Sequence, residues 1–362
     1  MNQIQSNLDK EDLRGHKIGV FFGTFAPLHI GHQAEIYKAA ALNDGVLVVT
    51  SGYAGDRGDQ IGLSLEKRFR YLREAFNDEP QIKVAMLDET GMPVMPDGWD
   101  VWLEELLKIV KENVIDNDTQ ITFYTGEENY QKELKARLPK NSQYKVSLMD
   151  RTILNISGTE IRENPLKNWE YINRVFRRNF VKKVTVMGAP NTGKSTLVRR
   201  VARTANSPFS EEYMKIYQEE SNVSNKELDV RDYINIINGQ FNANAKEISS
   251  PANNGMAIFD TDVINIWTHA QMNLSQDDLK KLEDLVDTTV AAEEIDLILI
   301  EPSDGDFNKQ LILNLEKFNF IDKVQILDAK GDQDDQFGYY ARYLQSIRAI
   351  SKYTGFEIKS AE

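Results

Sequence analysis

Hydrophobic positions in this chain fall in short runs that alternate with amphipathic stretches. Apolar runs at Ile18–Phe22 and Gly45–Thr50 flank an alanine-rich segment, which predicts a strand–turn–helix–strand unit. The alternation continues with helices predicted at 65–76 and 99–111 and strands predicted at 82–87, 120–124 and 144–148. Strands that alternate with helices in this way are typical of a parallel sheet with crossover helices.

A second alternation begins at Lys183, where the strand Val184–Met187 leads into a glycine-rich loop and a helix predicted at 196–204. Further strands are predicted at 257–259, 297–300 and 324–327, and a closing helix at 337–353. The aromatic and basic stretch 165–182 predicts a connecting helix. We therefore predict an α/β protein with two parallel-sheet domains, divided into a polar tail at 1–15 and domains at 16–180 and 181–362.

Length, net charge, cysteine content and the lengths of the apolar runs limit the classes of protein that this chain can belong to. The 362 residues suffice for two cores, and 43 Lys+Arg against 56 Asp+Glu give a formal net charge of −13. This acidic balance argues against non-specific nucleic-acid binding but permits a local phosphate site. The absence of cysteine excludes disulfides and thiolate metal sites. No apolar run is long enough to span a bilayer and the start is polar, so we expect a cytoplasmic protein without membrane insertion.

The loop at 188–195 reads GAPNTGKS, which matches the G-x-x-x-x-G-K-[ST] phosphate-binding pattern in full. Its glycines let backbone amides wrap around phosphate at a helix N-terminus. Lys194 would bridge the β- and γ-phosphates of ATP, and the Ser195 hydroxyl would bind Mg²⁺. The predicted ATP-binding set is Gly188, Ala189, Pro190, Asn191, Thr192, Gly193, Lys194, Ser195 and Thr196.

Two acidic residues follow the strand predicted at 257–259. A carboxylate at the carboxyl end of a strand beside the phosphate loop can hold Mg²⁺ or take the proton of a substrate hydroxyl. We assign this role to Asp260 and consider it for Asp262. For Asp262, capping of the following helix is an equal alternative.

The first domain carries the sequence GTFAPLHIGH at 23–32, which holds two of the four histidines in the chain. His29 and His32 are three residues apart at a predicted helix start, so both can face one side and stabilise charge on the α-phosphate of ATP. A zinc pair is disfavoured because the spacing is not i,i+4 and no third ligand is evident. Further along, Ser157, Thr159 and Arg162 would add phosphate donors at a capped helix start.

The sequences GTFAPLHIGH and ISGTEIR together resemble the adenylyltransferase branch of the HxGH nucleotidylyl transferases. With GAPNTGKS after them, their order resembles the bifunctional NadR family from about Lys17 onward. The resemblance implies a Rossmann-like nucleotidylyl transferase domain and a P-loop kinase domain. The kinase would convert nicotinamide riboside to nicotinamide mononucleotide, and the transferase would convert the mononucleotide to NAD and pyrophosphate. Both steps would use ATP with Mg²⁺.

The resemblance also assigns residues to roles. The catalytic set would be His29, His32, Arg162, Lys194 and Asp260. ATP in the transferase would contact Gly23, Thr24, Phe25, Lys17, His29, His32, Ser157, Thr159 and Arg162. Trp99 would stack on nicotinamide, with a core aromatic as the alternative. The riboside would contact Glu212, Tyr213, Asp260 and Asp262, while Ser195 and Asp260 would hold the metal.

The sequence departs from the family pattern in two places. Enteric members carry an N-terminal DNA-binding domain, whereas about sixteen residues precede the first strand here, so we expect no DNA binding. The segment after the strand 297–300 lacks the usual lid Trp and Arg, which leaves Lys309, Arg199 or Arg203 to supply the lid charge. One alternative is an adenylyltransferase whose P-loop domain only senses nucleotide, and another is an adenylyltransferase for an acceptor such as phosphopantetheine. The sequence leaves the oligomeric state open.

Overall fold

The computed structural model describes residues 11–115, 118–140, 143–149 and 156–358. The chain divides into two compact units, Met1–Asn179 and Phe180–Glu362. Within the described ranges, no helix is long and apolar enough to cross a membrane.

The first unit is built on a five-stranded parallel sheet in the order β3-β2-β1-β4-β5. Its strands are β1 (Lys17–Gly23), β2 (Gly45–Gly52), β3 (Ile82–Asp88), β4 (Gln120–Thr125) and β5 (Tyr144–Leu148). Its helices are α1 (Ile30–Leu42), α2 (Leu65–Ala75), α3 (Trp99–Asn113), α4 (Glu128–Arg137), α5 (Gly158–Glu163) and α6 (Arg174–Arg177). The apolar runs that predicted strands form the buried sheet because crossover helices cover its faces.

The order of the strands places the histidine turn at a topological switch point. From β1 the chain builds outward through β2 and β3 and then returns to place β4 on the other side of β1. Ligands of open α/β sheets bind outside the carboxyl ends of the strands at such a point. Gly23 ends β1 beside Thr50 of β2, so the segment 23–32 leaves the sheet at this edge.

The second unit has another five-stranded parallel sheet, in the order β10-β9-β6-β8-β7. Its strands are β6 (Lys182–Met187), β7 (Phe209–Ser210), β8 (Met256–Asp260), β9 (Leu297–Ile300) and β10 (Val324–Ile326). Its helices are α7 (Lys194–Ala205), α8 (Tyr213–Ser221), α9 (Val230–Ile248), α10 (Val263–Asn273), α11 (Gln276–Lys280), α12 (Glu283–Ala292), α13 (Asp306–Lys317) and α14 (Tyr339–Thr354). Because β6 lies between β8 and β9, the loop after β6 is flanked by the ends of both strands.

The predicted α/β class with two parallel sheets is confirmed, and the strands at 144–148 and 297–300 have the predicted bounds. The connecting helix predicted at 165–182 is wrong. That segment forms two single turns, Trp169–Tyr171 and Arg174–Arg177, and then enters β6 at Lys182. Two of the aromatic side chains that suggested an amphipathic helix, Trp169 and Phe176, are instead buried in the first unit, and Ile172 forms a β-bridge with His29.

Candidate nucleotide sites

His29 and His32 form a stacked pair at the start of α1. His29 is the N-cap residue, and its Nδ1 accepts a hydrogen bond of 3.4 Å from the backbone N–H of His32. The two rings stack with centroids 3.7 Å apart. A neutral imidazole that accepts at Nδ1 carries its hydrogen on Nε2, so the cap selects the tautomer whose Nε2–H is a donor. A Cβ on Gly31 would lie 3.0 Å from His29 Nδ1, which explains the glycine between the histidines.

Arg162 brings the second predicted phosphate segment against the histidine turn. Its guanidinium donates hydrogen bonds of 2.8 Å to the Ala26 carbonyl and of 2.8 Å to the Thr159 hydroxyl. Burial, together with the positive charge of Arg57, lowers the pKa of Arg162. The segment therefore places one cation directly on the loop that precedes His29.

Ser157 caps α5 through a reciprocal contact with Glu160. Its hydroxyl accepts from the Glu160 N–H at 3.2 Å and donates to the Glu160 carboxylate at 2.8 Å. The hydrogen bonds that the Glu160 carboxylate accepts from the Ser157 hydroxyl and from the Ser157 backbone amide lower the pKa of Glu160. The capped start that the sequence predicts is present, while contact of Ser157 and Thr159 with phosphate stays a prediction.

Arg57 is a site residue that sequence reasoning missed. It donates a hydrogen bond of 2.7 Å to the Thr24 hydroxyl, in the turn after Gly23. The neighbouring Asp56 holds the Arg57 loop by accepting from the amides of Gly58 and Asp59 and from the fully buried Arg68. A single arginine between loop glycines matches no motif, so only the fold shows where it lies.

Phe25 lies at the centre of the histidine turn. Its backbone adopts a φ of 47°, and its buried ring meets the His32 ring edge-on at a centroid distance of 5.2 Å. Gly23 lies directly beneath this ring, where an added Cβ would be 3.7 Å from the Phe25 side chain. Phe25 and Gly23 thus shape the turn that positions His32.

Lys17 does not have the role that the resemblance implied. It begins β1, where it pairs with Gln120, whereas Gly23 and the histidine turn lie at the other end of the strand. Seven residues of parallel strand span about 20 Å. The backbone N–H of Lys17 donates to Asp44 at 2.9 Å. The prediction for Lys17 is therefore wrong, and Arg57 is the cation at the correct edge of the sheet.

Trp99 is part of the core of the first unit. Only 4% of the residue is exposed, and its ring meets Trp102 and Tyr130 edge-on at centroid distances of 5.8 Å and 4.8 Å. Trp102 donates from its indole to Glu89 at 3.1 Å. The core alternative therefore describes Trp99, because so little of the residue is exposed, and the structure contradicts a stacking platform for nicotinamide at this residue.

The phosphate loop of the second unit connects β6 to α7 with the predicted backbone. Gly188 and Gly193 have φ of 135° and 103°, which only glycine adopts without strain. Lys194 is buried and donates to the Ala189 carbonyl at 2.8 Å across the loop, and the Thr192 hydroxyl donates to the same carbonyl at 3.0 Å. Burial lowers the pKa of Lys194, against the opposing influence of nearby carboxylates.

The other loop residues follow the same path. Asn191 takes a left-handed φ of 64°, Pro190 precedes it, and Ser195 and Thr196 open the first turn of α7. Two buried asparagines that were not predicted from the sequence hold the loop by hydrogen bonds to its backbone. The amide of Gly188 donates to Asn265 at 3.1 Å, and the amide of Ala189 donates to Asn308 at 3.0 Å.

Asp260 ends β8 beside Ser195. It is 3% exposed, and its Oδ1 has no hydrogen-bond partner in the described part of the chain. Burial raises the pKa of Asp260, while the Ser195 hydrogen bond and the charges of Lys194 and Lys215 oppose that rise. A buried carboxylate oxygen without a partner, next to a hydroxyl, suits a divalent cation that takes its other ligands from water and phosphate. Ser195 and Asp260 therefore fit the predicted metal role.

Glu212 and Tyr213 open α8 on the same edge of the sheet. Glu212 forms an ion pair with Lys215 at 2.5 Å and acts electrostatically on Lys194 and Asp260. The Tyr213 ring lies flush against Gly239 of α9, where a Cβ would overlap it. Its backbone amide donates to Gln240 at 2.8 Å. Glu212 therefore faces the phosphate loop, while Tyr213 anchors the segment.

Asp262 caps α10 and does not face a riboside. It is fully buried and accepts from the Asn265 amide at 3.0 Å. Burial and the adjacent Glu293 raise the pKa of Asp262 well above its usual value. Burial also raises the pKa of Glu293 to about 7. Of the two roles considered for Asp262, the structure supports the cap, and the predicted riboside contact is wrong.

None of the candidate lid cations contacts the phosphate loop in the part of the chain that the structure describes. Lys309 is paired with Asp306 at 3.0 Å on its own helix, and its side chain is 72% exposed. Arg199 is paired with Glu211 at 2.8 Å. Arg203 lies in the last turn of α7, about 13 Å along the helix axis from Lys194. Instead, Lys215 reaches the loop and donates to the Ser195 hydroxyl at 3.1 Å.

Comparison with known proteins finds matches to both units of the chain. Residues 20–164 match the cytidylyltransferase-like family and residues 183–311 match the AAA domain family. A crystal structure of NadR protein in complex with NR is 50% identical, with a TM-score of 0.91, and covers 98% of this chain and 100% of that chain. A crystal structure of NadR protein in complex with NAD and AMP-PNP is also 50% identical, with a TM-score of 0.89, over 97% of this chain and 100% of that chain.

The trifunctional NAD biosynthesis/regulator protein NadR of Salmonella typhimurium is 35% identical over 217 residues, which is 56% of this chain and 50% of that protein. Its counterpart from Escherichia coli is 34% identical over 213 residues, which is 55% of this chain and 49% of that protein. The chain thus spans about half the length of the curated relatives it matches. The full-length structural match, the two family matches and the three motifs in order together show that this chain belongs to the NadR family.

Proposed function

We propose that this chain makes NAD from nicotinamide riboside in two steps that each consume ATP. The second unit phosphorylates the riboside to nicotinamide mononucleotide, and the first unit adenylylates the mononucleotide. The observation that carries the proposal is a separate phosphate-binding centre at the carboxyl edge of each sheet. One is built from His29, His32 and Arg162, and the other from Lys194 and Ser195. Relatives crystallised with NR and with NAD and AMP-PNP support the same substrates.

In the adenylyl-transfer step, a phosphate oxygen of the mononucleotide attacks the α-phosphorus of ATP. The bond to the β-phosphate breaks and pyrophosphate leaves. Negative charge builds on the α-phosphate oxygens, and the Nε2–H of His29 would donate to that charge. His32, stacked on His29, and the guanidinium groups of Arg57 and Arg162 surround the same turn.

In the phosphoryl-transfer step, a hydroxyl of the riboside attacks the γ-phosphorus of ATP and ADP leaves. Lys194 lies in the loop where the β- and γ-phosphates would sit. Mg²⁺ held by Ser195 and Asp260 would withdraw charge from the phosphate oxygens. The carboxylates of Asp260 and Glu212 lie at this edge, and one of them would accept the proton of the hydroxyl. Asp262 has no assigned role in this step because its carboxylate caps α10 and lies next to Glu293.

Product analysis tests the proposal. The protein is incubated with ATP, Mg²⁺ and either nicotinamide riboside or its mononucleotide, and the products are separated by chromatography. We expect mononucleotide and NAD from the riboside, and NAD from the mononucleotide. If only the mononucleotide yields NAD, the second unit is a nucleotide-binding module and not a kinase. If neither yields NAD while another phosphorylated acceptor is adenylylated, the assigned substrates are wrong.

A further inference from the structure

Lys215 occupies an unusual position in the second unit. It lies in the first turn of α8, yet its ammonium donates to the Ser195 hydroxyl at 3.1 Å and pairs with Glu212 at 2.5 Å. Ser195 in turn contacts Asp260, so one run of contacts joins Lys215, Ser195 and Asp260. The positive charge of Lys215 also helps to lower the pKa of Lys194. Lys215 is therefore part of the phosphate-loop centre, although it lies twenty residues from Ser195 in sequence.

The ammonium of Lys215 lies beside the position that a divalent metal ion would occupy. Ser195 and Asp260 are the residues that fit a divalent metal, and a magnesium ion would lie about 2.1 Å from its oxygen ligands. An ammonium 3.1 Å from the same hydroxyl would lie within about 5 Å of an ion bound to that hydroxyl, and two cations so close repel each other. The ammonium and the metal therefore compete for this position.

The side chain of Lys215 is free to move when the metal arrives. It is 58% exposed, and its flexible four-carbon chain extends from the first turn of α8. Its pairing with Glu212 is local, at a spacing of i,i+3. The chain thus holds a cation at the edge of the phosphate loop that can shift by a few ångströms without disturbing the fold.

We propose that Lys215 is the mobile cation of the kinase centre. In the nucleotide-free protein it neutralises the carboxylates around Ser195, and when metal and nucleotide bind it turns to the phosphoryl group being transferred. There it offsets the charge for which the segment after β9 provides no arginine. This inference rests on the proposed kinase function. Lys215 exchanges no proton: the riboside oxygen–phosphorus bond forms, the bond to the β-phosphate breaks, and a carboxylate takes the proton.

Two of the other cations considered for this role are paired with carboxylates elsewhere. Lys309 is tied to Asp306 on an exposed helix face, and Arg199 is tied to Glu211. Lys281 supplies a matched control because its ammonium also pairs at i,i+3, with Asp278 at 2.7 Å, and its side chain is 62% exposed. Lys281 differs from Lys215 in lying at the end of α11, with no contact to the phosphate loop among the described residues.

The experiment compares Lys215→Met, Lys215→Arg and Lys281→Met in the full chain by two measurements. The first is riboside phosphorylation. We expect Lys215→Met to lower kcat by about 10²-fold while the KM for riboside changes less than about twofold, because the charge acts mainly in the transition state. Lys215→Arg should restore much of the rate, and Lys281→Met should match the parent protein. An unchanged kcat in Lys215→Met overturns the proposal.

The second measurement does not depend on turnover. Calorimetric binding of AMP-PNP is followed as Mg²⁺ is raised, and the signal that remains in Lys194→Ala is subtracted to isolate the phosphate loop. Removing the competing ammonium in Lys215→Met should lower the Mg²⁺ concentration at half-saturation severalfold, whereas Lys281→Met should not shift it. An unchanged or higher Mg²⁺ midpoint in Lys215→Met overturns the proposal. If the parent protein phosphorylates no riboside, the proposed kinase function fails, and this titration still decides whether Lys215 holds the cation position.

Discussion

Arg57 donates a hydrogen bond of 2.7 Å to the hydroxyl of Thr24, thirty-three residues earlier in the chain. Thr24 belongs to the turn that also carries His29 and His32, and Arg162 reaches this turn through the Ala26 carbonyl. Two arginines thus approach one turn from separate segments. Their charges are close enough that Arg57 lowers the pKa of Arg162, which is the arrangement expected of a site awaiting an anion.

We therefore predict that Arg57→Ala lowers kcat/KM for NAD formation from the mononucleotide by about 10- to 100-fold, since one charge-assisted contact to the triphosphate is lost. Steady-state kinetics at saturating Mg²⁺ measure the effect. Lys17→Ala is the control, because Lys17 lies at the opposite end of β1. If Lys17→Ala lowers kcat/KM as much as Arg57→Ala does, the triphosphate binds near Lys17, as the sequence first suggested.

Lys309→Ala is predicted to leave riboside phosphorylation unchanged. Its ammonium is exposed and paired with Asp306 on the same helix, so the substitution removes a surface ion pair worth less than about 1 kcal/mol. Kinase kinetics of this variant measured beside those of the parent protein test the assignment. A tenfold fall in kcat would show that the lid charge comes from α13.

The carboxyl pair of Asp262 and Glu293 predicts how stability depends on pH. Burial raises the pKa of Glu293 from 4.5 to about 7, so the folded state keeps a proton that the unfolded state has lost above pH 4.5. The stabilising effect of this proton is fully present below pH 4.5 and is lost as pH rises through about 7. The free energy of unfolding should therefore fall across this window, by at most about 1.4 kcal/mol per pH unit for one proton.

Urea unfolding of the full chain at several pH values measures this slope. Glu293→Gln should reduce it, because a neutral amide keeps the shape of the group but does not titrate. Glu294→Gln is the control, since the neighbouring Glu294 is exposed and paired with Lys183 at 3.2 Å. Equal slopes in the parent protein and in Glu293→Gln would contradict the raised pKa of Glu293.

The phosphate loop and the histidine turn could be read from the sequence because their chemistry is local. Gly193, Lys194 and Ser195 are adjacent, and His29 and His32 are three residues apart, so spacing alone brings the groups together. Lys17 shows the limit of such reasoning. It lies only six residues before Gly23, yet an extended strand places the two at opposite edges of the sheet.

Residues that reach a site from a distant part of the sequence could not be identified from the sequence pattern. Arg57, Asn265, Asn308 and Lys215 reach their sites because strand order and helix packing bring distant segments together. The segment 165–182 failed for a related reason. Its aromatic side chains suggested the apolar face of one helix. In the structure, two short turns bury Trp169 and Phe176 in the first unit instead. Tertiary packing, and not the local sequence pattern, determined the secondary structure of this segment.

The most direct test of the account is product analysis from nicotinamide riboside with two variants, His32→Ala and Lys194→Ala. Loss of a donor to the transition state at His32 should lower adenylylation by about 10²–10³-fold. His32→Ala should therefore accumulate mononucleotide and form almost no NAD. Lys194→Ala should form no mononucleotide from the riboside, yet still convert added mononucleotide to NAD. If either substitution abolishes both reactions to the same extent in protein that remains folded, the two phosphate-binding centres are not separate active sites, and the account is contradicted.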